Sequence, residues 1–167
     1  MADKFGFFIR KSEDTGQSIG QIMPLLKVVV TLVSSGDRIL AVYNDKWGAF
    51  TLPMSKRRIW KDASGQEQTE EWFDAAIRAG AEAFGRTMIG KPKFLVDVAE
   101  FQQSDRDDKW KRYQLQAFQI VVEENAPLPH ARSAEWLTAD ELLDEERHPI
   151  SPTARYIVSE LRVAGII

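Results

Sequence analysis

The chain has 167 residues, 44% of them hydrophobic and 28% charged, with a net charge of −3 at neutral pH. That length and composition read as one globular domain, 1–167, with enough core to fold without staples. The absence of cysteine excludes disulfides, thiolate metal sites and thiol catalysis, and the acidic balance argues against a face for extended nucleic acid.

The N-terminal residues 5–10 (FGFFIR) read as a short strand and the polar stretch 11–20 as a loop, an extension ahead of the main body. Met1–Arg10 mixes charges with aromatics and lacks the apolar core of a signal peptide. No run approaches the about 18 apolar residues that span a bilayer. A cytoplasmic protein without membrane contact is therefore expected.

The β-branched run 25–33 is a strand, Ser34 to Asp37 is turn chemistry, and 38–43 returns as a second strand of a hairpin. Residues 44–48 make another turn, and Pro53 ends the short strand of 49–53 because it has no N–H for a ladder. The stretch 55–68 is polar and mixed, with Lys56, Arg57 and Arg58 in a row. Thr69 is placed to cap a helix over 70–84, whose core stripe is read as Phe73, Ile77, Gly80 and Phe84. Gly85 sits where a left-handed C-terminal cap belongs.

Residues 94–101 form a strand, 104–112 a highly charged loop, and 113–122 a strand with alternation at Tyr113, Leu115 and Ala117. After a Pro-containing loop, 134–137 is a short strand. Thr138 and Glu141 make a capping box, and Ser151-Pro152 opens a last helix to about Val163. The element order implies α+β, a mixed sheet between helices.

Between Trp47 and Gly85 the sequence resembles the Nudix superfamily. The hairpin of 25–43 precedes Trp47 and Leu52-Pro53, where the family often has a tryptophan and then Leu-Pro-Gly-Gly. Arg78, Glu82 and Gly85 stand at the offsets of the family's Arg-Glu-apolar-x-Glu-Glu-x-Gly motif, and Glu70 lies eight residues before Arg78, as that box requires. Gly65 is one residue from its expected position, and the resemblance runs over roughly 25–163. It implies a Nudix-like mixed sheet sandwiched between helices. It also implies a magnesium-dependent hydrolase of diphosphates linked to another group, in which box glutamates hold the metal. Hard cations such as magnesium want several oxygen ligands.

Here the pattern is broken. Ala79 and Ala83 stand where two carboxylates belong, and Met54-Ser55 stands where the paired glycines belong. Glu82 is left as a weak metal and catalytic candidate, with Glu70 as a residual second. One carboxylate on a helix is a poor magnesium site. The competing reading makes Asp74, Arg78 and Glu82 a surface charge ladder, and Glu70 an acid that complements the helix dipole. The resemblance gives Arg78 a structural role, hydrogen bonding to the loop before the helix, with Gly85 as the other structural box residue.

Lys56, Arg57 and Arg58 are candidates for phosphate contacts or a solvated strand edge. Trp47 and Trp110 are candidates for base stacking or rim packing. Asp105, Asp107, Asp108 and Glu100 are acids that an atypical hydrolase would have to recruit. His130 and His148 lack a sequence-evident partner and read as structural or surface residues. Three functions follow: a Nudix-like protein binding a nucleotide or other small phosphorylated ligand without standard hydrolysis, an atypical metal-dependent pyrophosphohydrolase, or a non-enzymatic interaction domain. Nudix domains are often paired, so a homodimer is a further expectation of the resemblance.

Overall fold

The computed structural model describes residues 25–86, 90–103, 109–130, 133–144 and 146–167. The N-terminal strand and loop read at 5–20, and the acids Asp105, Asp107 and Asp108, lie outside the described residues.

The body is a mixed sheet built around β1 (Leu25–Ser35). The order is β3 (Ala49–Thr51), β2 (Arg38–Asn44), β1, β8 (Trp110–Val121), β7 (Lys93–Gln103), with β4 (Met54–Lys56) paired on β1 and β9 (Ala134–Thr138) on β2. β1 and β8 run parallel from Leu25↔Arg112 to Ser34↔Val121, and β7 runs antiparallel to β8. The expected hairpin of β1 and β2 is registered at Ser34↔Ile39 and Ser35↔Arg38, beside its turn. Beyond it β1 takes β4 as partner and β2 takes β9 and β3.

Helices cover both faces. On one, α3 (Pro152–Val163) packs Ala154, Ile157, Val158 and Leu161 against Val28, Val30, Leu32, Leu115 and Ala117, with the short α2 (Ala139–Leu143) beside it. On the other, α1 (Trp72–Phe84) lies over Val29 and Phe118. No described helix is long and apolar enough to cross a membrane.

Local chemistry set several ends. Thr138 and Glu141 form the capping box, Ser151 Oγ accepts from the Ala154 N–H, and Gly85 caps α1 at φ 78° with its N–H on the Ala81 carbonyl.

α1 corrects the sequence reading twice. It begins at Trp72 after Glu71, which makes no side-chain cap, because Thr69 belongs to β6 (Glu67–Thr69), paired with β5 (Ile59–Lys61). This hairpin occupies the stretch that reads as merely polar; Asp62 accepts from the Ser64 and Gln66 N–H groups and closes its turn. The buried face is also partly different. Gly80 and Phe84 are buried as expected, but Phe73 is 39% exposed and Ile77 half-buried, while Ala75, Ala76, Ala79 and Ala83 complete the buried face. Small side chains let the helix backbone approach the sheet so closely that Thr31 Oγ1 donates to the Ala76 carbonyl at 2.9 Å. Finally, β8 starts at Trp110, three residues before the expected start.

Candidate functional site

The middle of α1, strand β4 and the end of the β5–β6 hairpin meet around Arg78. Its Nε donates to Glu70 Oε2 at 3.1 Å and its Nη2 to Glu70 Oε1 at 2.8 Å. Nη1 donates to Ser55 Oγ at 2.9 Å and Nη2 also to the Lys56 carbonyl at 3.0 Å. One planar guanidinium therefore ties helix, hairpin end and strand, a geometry lysine cannot reproduce. Glu70 also accepts from the Arg58 N–H at 3.1 Å. The Arg78 hydrogen bonds, above all, hold the Glu70 carboxyl below its ordinary range.

Glu82 stands outside this knot. Its side chain is 53% exposed and lies 3.8 Å from Arg78 and 3.6 Å from Arg58. Of the charge ladder read along α1, the Arg78–Glu82 contact is present, while the short ion pair of Arg78 is with Glu70. The three consecutive cations separate. Arg57 is held in place, its Nε on the Glu70 carbonyl at 2.7 Å and its guanidinium over the Trp72 ring at 4.7 Å. Lys56 and Arg58 are exposed. Beside them an open groove is lined by Arg58, Ile59, Trp60, Thr69, Glu70, Glu71 and Asp74. Acids predominate along it, so only its Arg58 end suits an anion.

No protein-family model matches the sequence, and no curated protein matches it either. Solved structures match in fold. The NUDIX domain of NrtR from Shewanella oneidensis, complexed with ADP ribose, superposes with a TM-score of 0.58 at 14% identity, covering 92% of this chain and 97% of that one. A MutT protein from Methanosarcina mazei Go1 gives 0.60 at 15% identity over 86% and 97% of the two chains. A MutT NUDIX hydrolase from Burkholderia pseudomallei gives 0.56 at 16% identity over 83% and 98%. The chain has a Nudix-like fold. Identities this low speak for the fold alone, so the chemistry of the site has to be read from this chain's own residues.

In this Nudix-like domain Ala79 and Ala83 each retain 4% exposure. Ala79 packs with Val29 and Phe118, and Ala83 with Val33, Leu40 and Ile120. The two positions where the resemblance asks for carboxylates are thus apolar contacts between helix and sheet. Met54 packs against the core on the other face and Ser55 has become a partner of Arg78. Among the described residues no group of three His, Asp or Glu is placed to hold a metal ion. The donors that the described residues of the box offer do not fit magnesium. Glu70 is committed to Arg78, and Glu82 offers a single carboxylate already facing two arginines.

The remaining candidates scatter. Glu100 lies on β7 with Val96 and Val98, on the face covered by α3, so the sheet separates it from α1 and Glu82. Trp47 is 42% exposed in the turn between β2 and β3, and Trp110 opens β8, with β2 and β1 between those strands. His130 is exposed in its loop. His148 lies edge-on to Phe50 and 3.9 Å from Glu135.

Sequence reasoning missed two features. Ser55 stands out in sequence only as a lost glycine. On β7 and β8, Asp97 Oδ2 accepts from both Gln114 and Gln116, whose only sequence signal is their alternation with Leu115.

Proposed function

We propose that this Nudix-like domain binds a nucleotide or a related small phosphorylated molecule and does not perform the magnesium-dependent hydrolysis that the family resemblance implies. The observation that carries the reading is the state of the box. Two carboxylate positions are buried alanines, and the two glutamates that remain are engaged by Arg78 and Arg58. Among the described residues no cluster of oxygen ligands is placed to neutralise a diphosphate or lower the pKa of a bound water. Binding needs neither. The exposed Lys56 and Arg58 supply cations for phosphate, and a fold neighbour carries ADP ribose.

Calorimetric titration with ADP ribose and a panel of nucleoside diphosphate derivatives, with and without magnesium, tests this. The expected result is metal-independent binding with no release of phosphorylated product. Magnesium-dependent turnover that is abolished by Glu82→Gln would overturn it. A single domain in the cytoplasm, assembled as a homodimer, completes the reading, and light scattering of the purified chain checks the assembly.

A further inference from the structure

The face of β7 and β8 beside α1 carries a group that the box does not use. β8 alternates: Leu115 and Ala117 enter the core under α3, while Gln114, Gln116 and Phe118 face the α1 side. Across the ladder Asp97 stands opposite Gln116, and Ala99 opposite Gln114. Asp97 Oδ2 accepts from Gln114 Nε2 at 2.9 Å and from Gln116 Nε2 at 3.1 Å.

An ionised carboxylate is acceptor-only, so both amides must turn their NH2 groups toward it. That fixes what the surface offers to a ligand. Two Gln Oε1 atoms and Asp97 Oδ1 form an acceptor-rich edge, and two long side chains are already ordered. Ordering a half-buried glutamine costs on the order of 1–2 kcal/mol of rotamer entropy and a hydrogen bond at the surface returns little, so such a fan is poorly explained as a stabilising device. It is better explained as a preorganised one.

The next rung of the same face is aromatic. Phe94 stands opposite Phe118 in the ladder, 52% exposed, with the two rings edge-on at 5.6 Å, and Phe118 in turn meets Phe73 at 6.4 Å. Successive rungs of one face are about 7 Å apart, the span of a fused heterocycle. Lys27, exposed on β1 opposite Gln114, adds a cation at the polar end.

We propose that this face receives the base of the ligand, and that it selects a nucleobase carrying an exocyclic amine, such as adenine. The amine donates to the acceptor edge set by Asp97, Gln114 and Gln116, and the ring lies against Phe94. The inference rests on the nucleotide-binding reading above and adds to it a specificity element outside the box. A site built to pair a donor rejects an analogue that presents an acceptor there, because acceptors shielded by the bound base are then left facing each other.

The test compares ADP ribose with its hypoxanthine counterpart, in which a carbonyl replaces the amine, on the intact chain and on Gln116→Leu and Gln114→Leu. Both variants lie on a half-buried sheet surface, and circular dichroism melts verify that they fold. The expected result is at least tenfold weaker binding of the hypoxanthine compound to the unsubstituted chain, and at least tenfold weaker ADP ribose binding, with the preference lost, in each variant. Should ADP ribose bind, with the two ligands equal and the variants unaffected, the base assignment falls while nucleotide binding stands. If the unsubstituted chain binds neither compound, both fall.

Discussion

Arg78 grips Glu70 at two points, 3.1 Å and 2.8 Å, while its remaining N–H groups reach Ser55 and the Lys56 carbonyl. Side-chain exposures of 16% and 12% make this a largely shielded pair. Arg78→Ala strands a carboxylate that water reaches poorly and should cost about 2–4 kcal/mol in urea unfolding; Arg78→Lys should recover only part of it. The pH dependence has a definite sign. Glu70 titrates below its ordinary value in the folded chain, so the pair's contribution is present above the unfolded value of 4.5 and is lost as pH falls through the folded one. In Arg78→Ala that acid limb should flatten, which chemical denaturation between neutral and acid pH would show.

Restoring the family's carboxylates should not restore a metal site. Ala79 and Ala83 face Val29, Phe118, Val33 and Ile120 with 4% exposure each. A glutamate at either position buries a charge without a partner and separates helix from sheet. Ala79→Glu should destabilise by about 3 kcal/mol or more. The Ala79→Glu, Ala83→Glu double variant should show no magnesium-dependent turnover and no shift of its melting temperature with magnesium. A metal-dependent rise in melting temperature would mean that this face can open into a coordination site.

What could be read in advance depended on how local its cause was. Gly85, the Thr138–Glu141 box and Ser151-Pro152 are set by hydrogen bonds within four residues, and the chain alone indicates them. Gly80 and Phe84 of the buried face of α1 were legible, but the rest was hidden because its contacts are alanines, whereas periodicity weights large apolar residues and favoured Phe73. Strands of three residues, β5 and β6, carry no usable period. The partnership of Asp97 with two glutamines joins residues 17 and 19 apart through a ladder that shifts register between Phe94 and Val96. No sequence pattern records that offset.

Gly85 offers a test of the cap alone. Its φ of 78° is left-handed, and an added Cβ would sit 3.6 Å from Pro129 Cβ, an ordinary contact. Space is therefore not the obstacle, and the cost is conformational. Gly85→Ala should lower stability by about 1 kcal/mol, and Gly85→Asn by less, since asparagine tolerates this region. Thermal melts of the two variants give the comparison.

Glu100 sets a second pH dependence, opposite in sign to that of Glu70. It is 3% exposed between β7 and α3, and neither carboxyl oxygen has a hydrogen-bond partner among the described residues. Burial pushes its carboxyl up to about 8, so the folded chain holds this proton at neutral pH. The unfolded chain releases it near 4.5. Between those values the folded state binds more protons than the unfolded one, and this group's contribution falls by about 1.4 kcal/mol per pH unit as pH rises. The loss is complete above about 8, where the charge itself is buried. Glu100→Gln keeps the shape of the neutral acid and cannot ionise. Its unfolding free energy should exceed that of the unsubstituted chain by a margin that widens from pH 5 to pH 8. Parallel curves over that range would show that water or a neighbouring group already compensates the carboxylate.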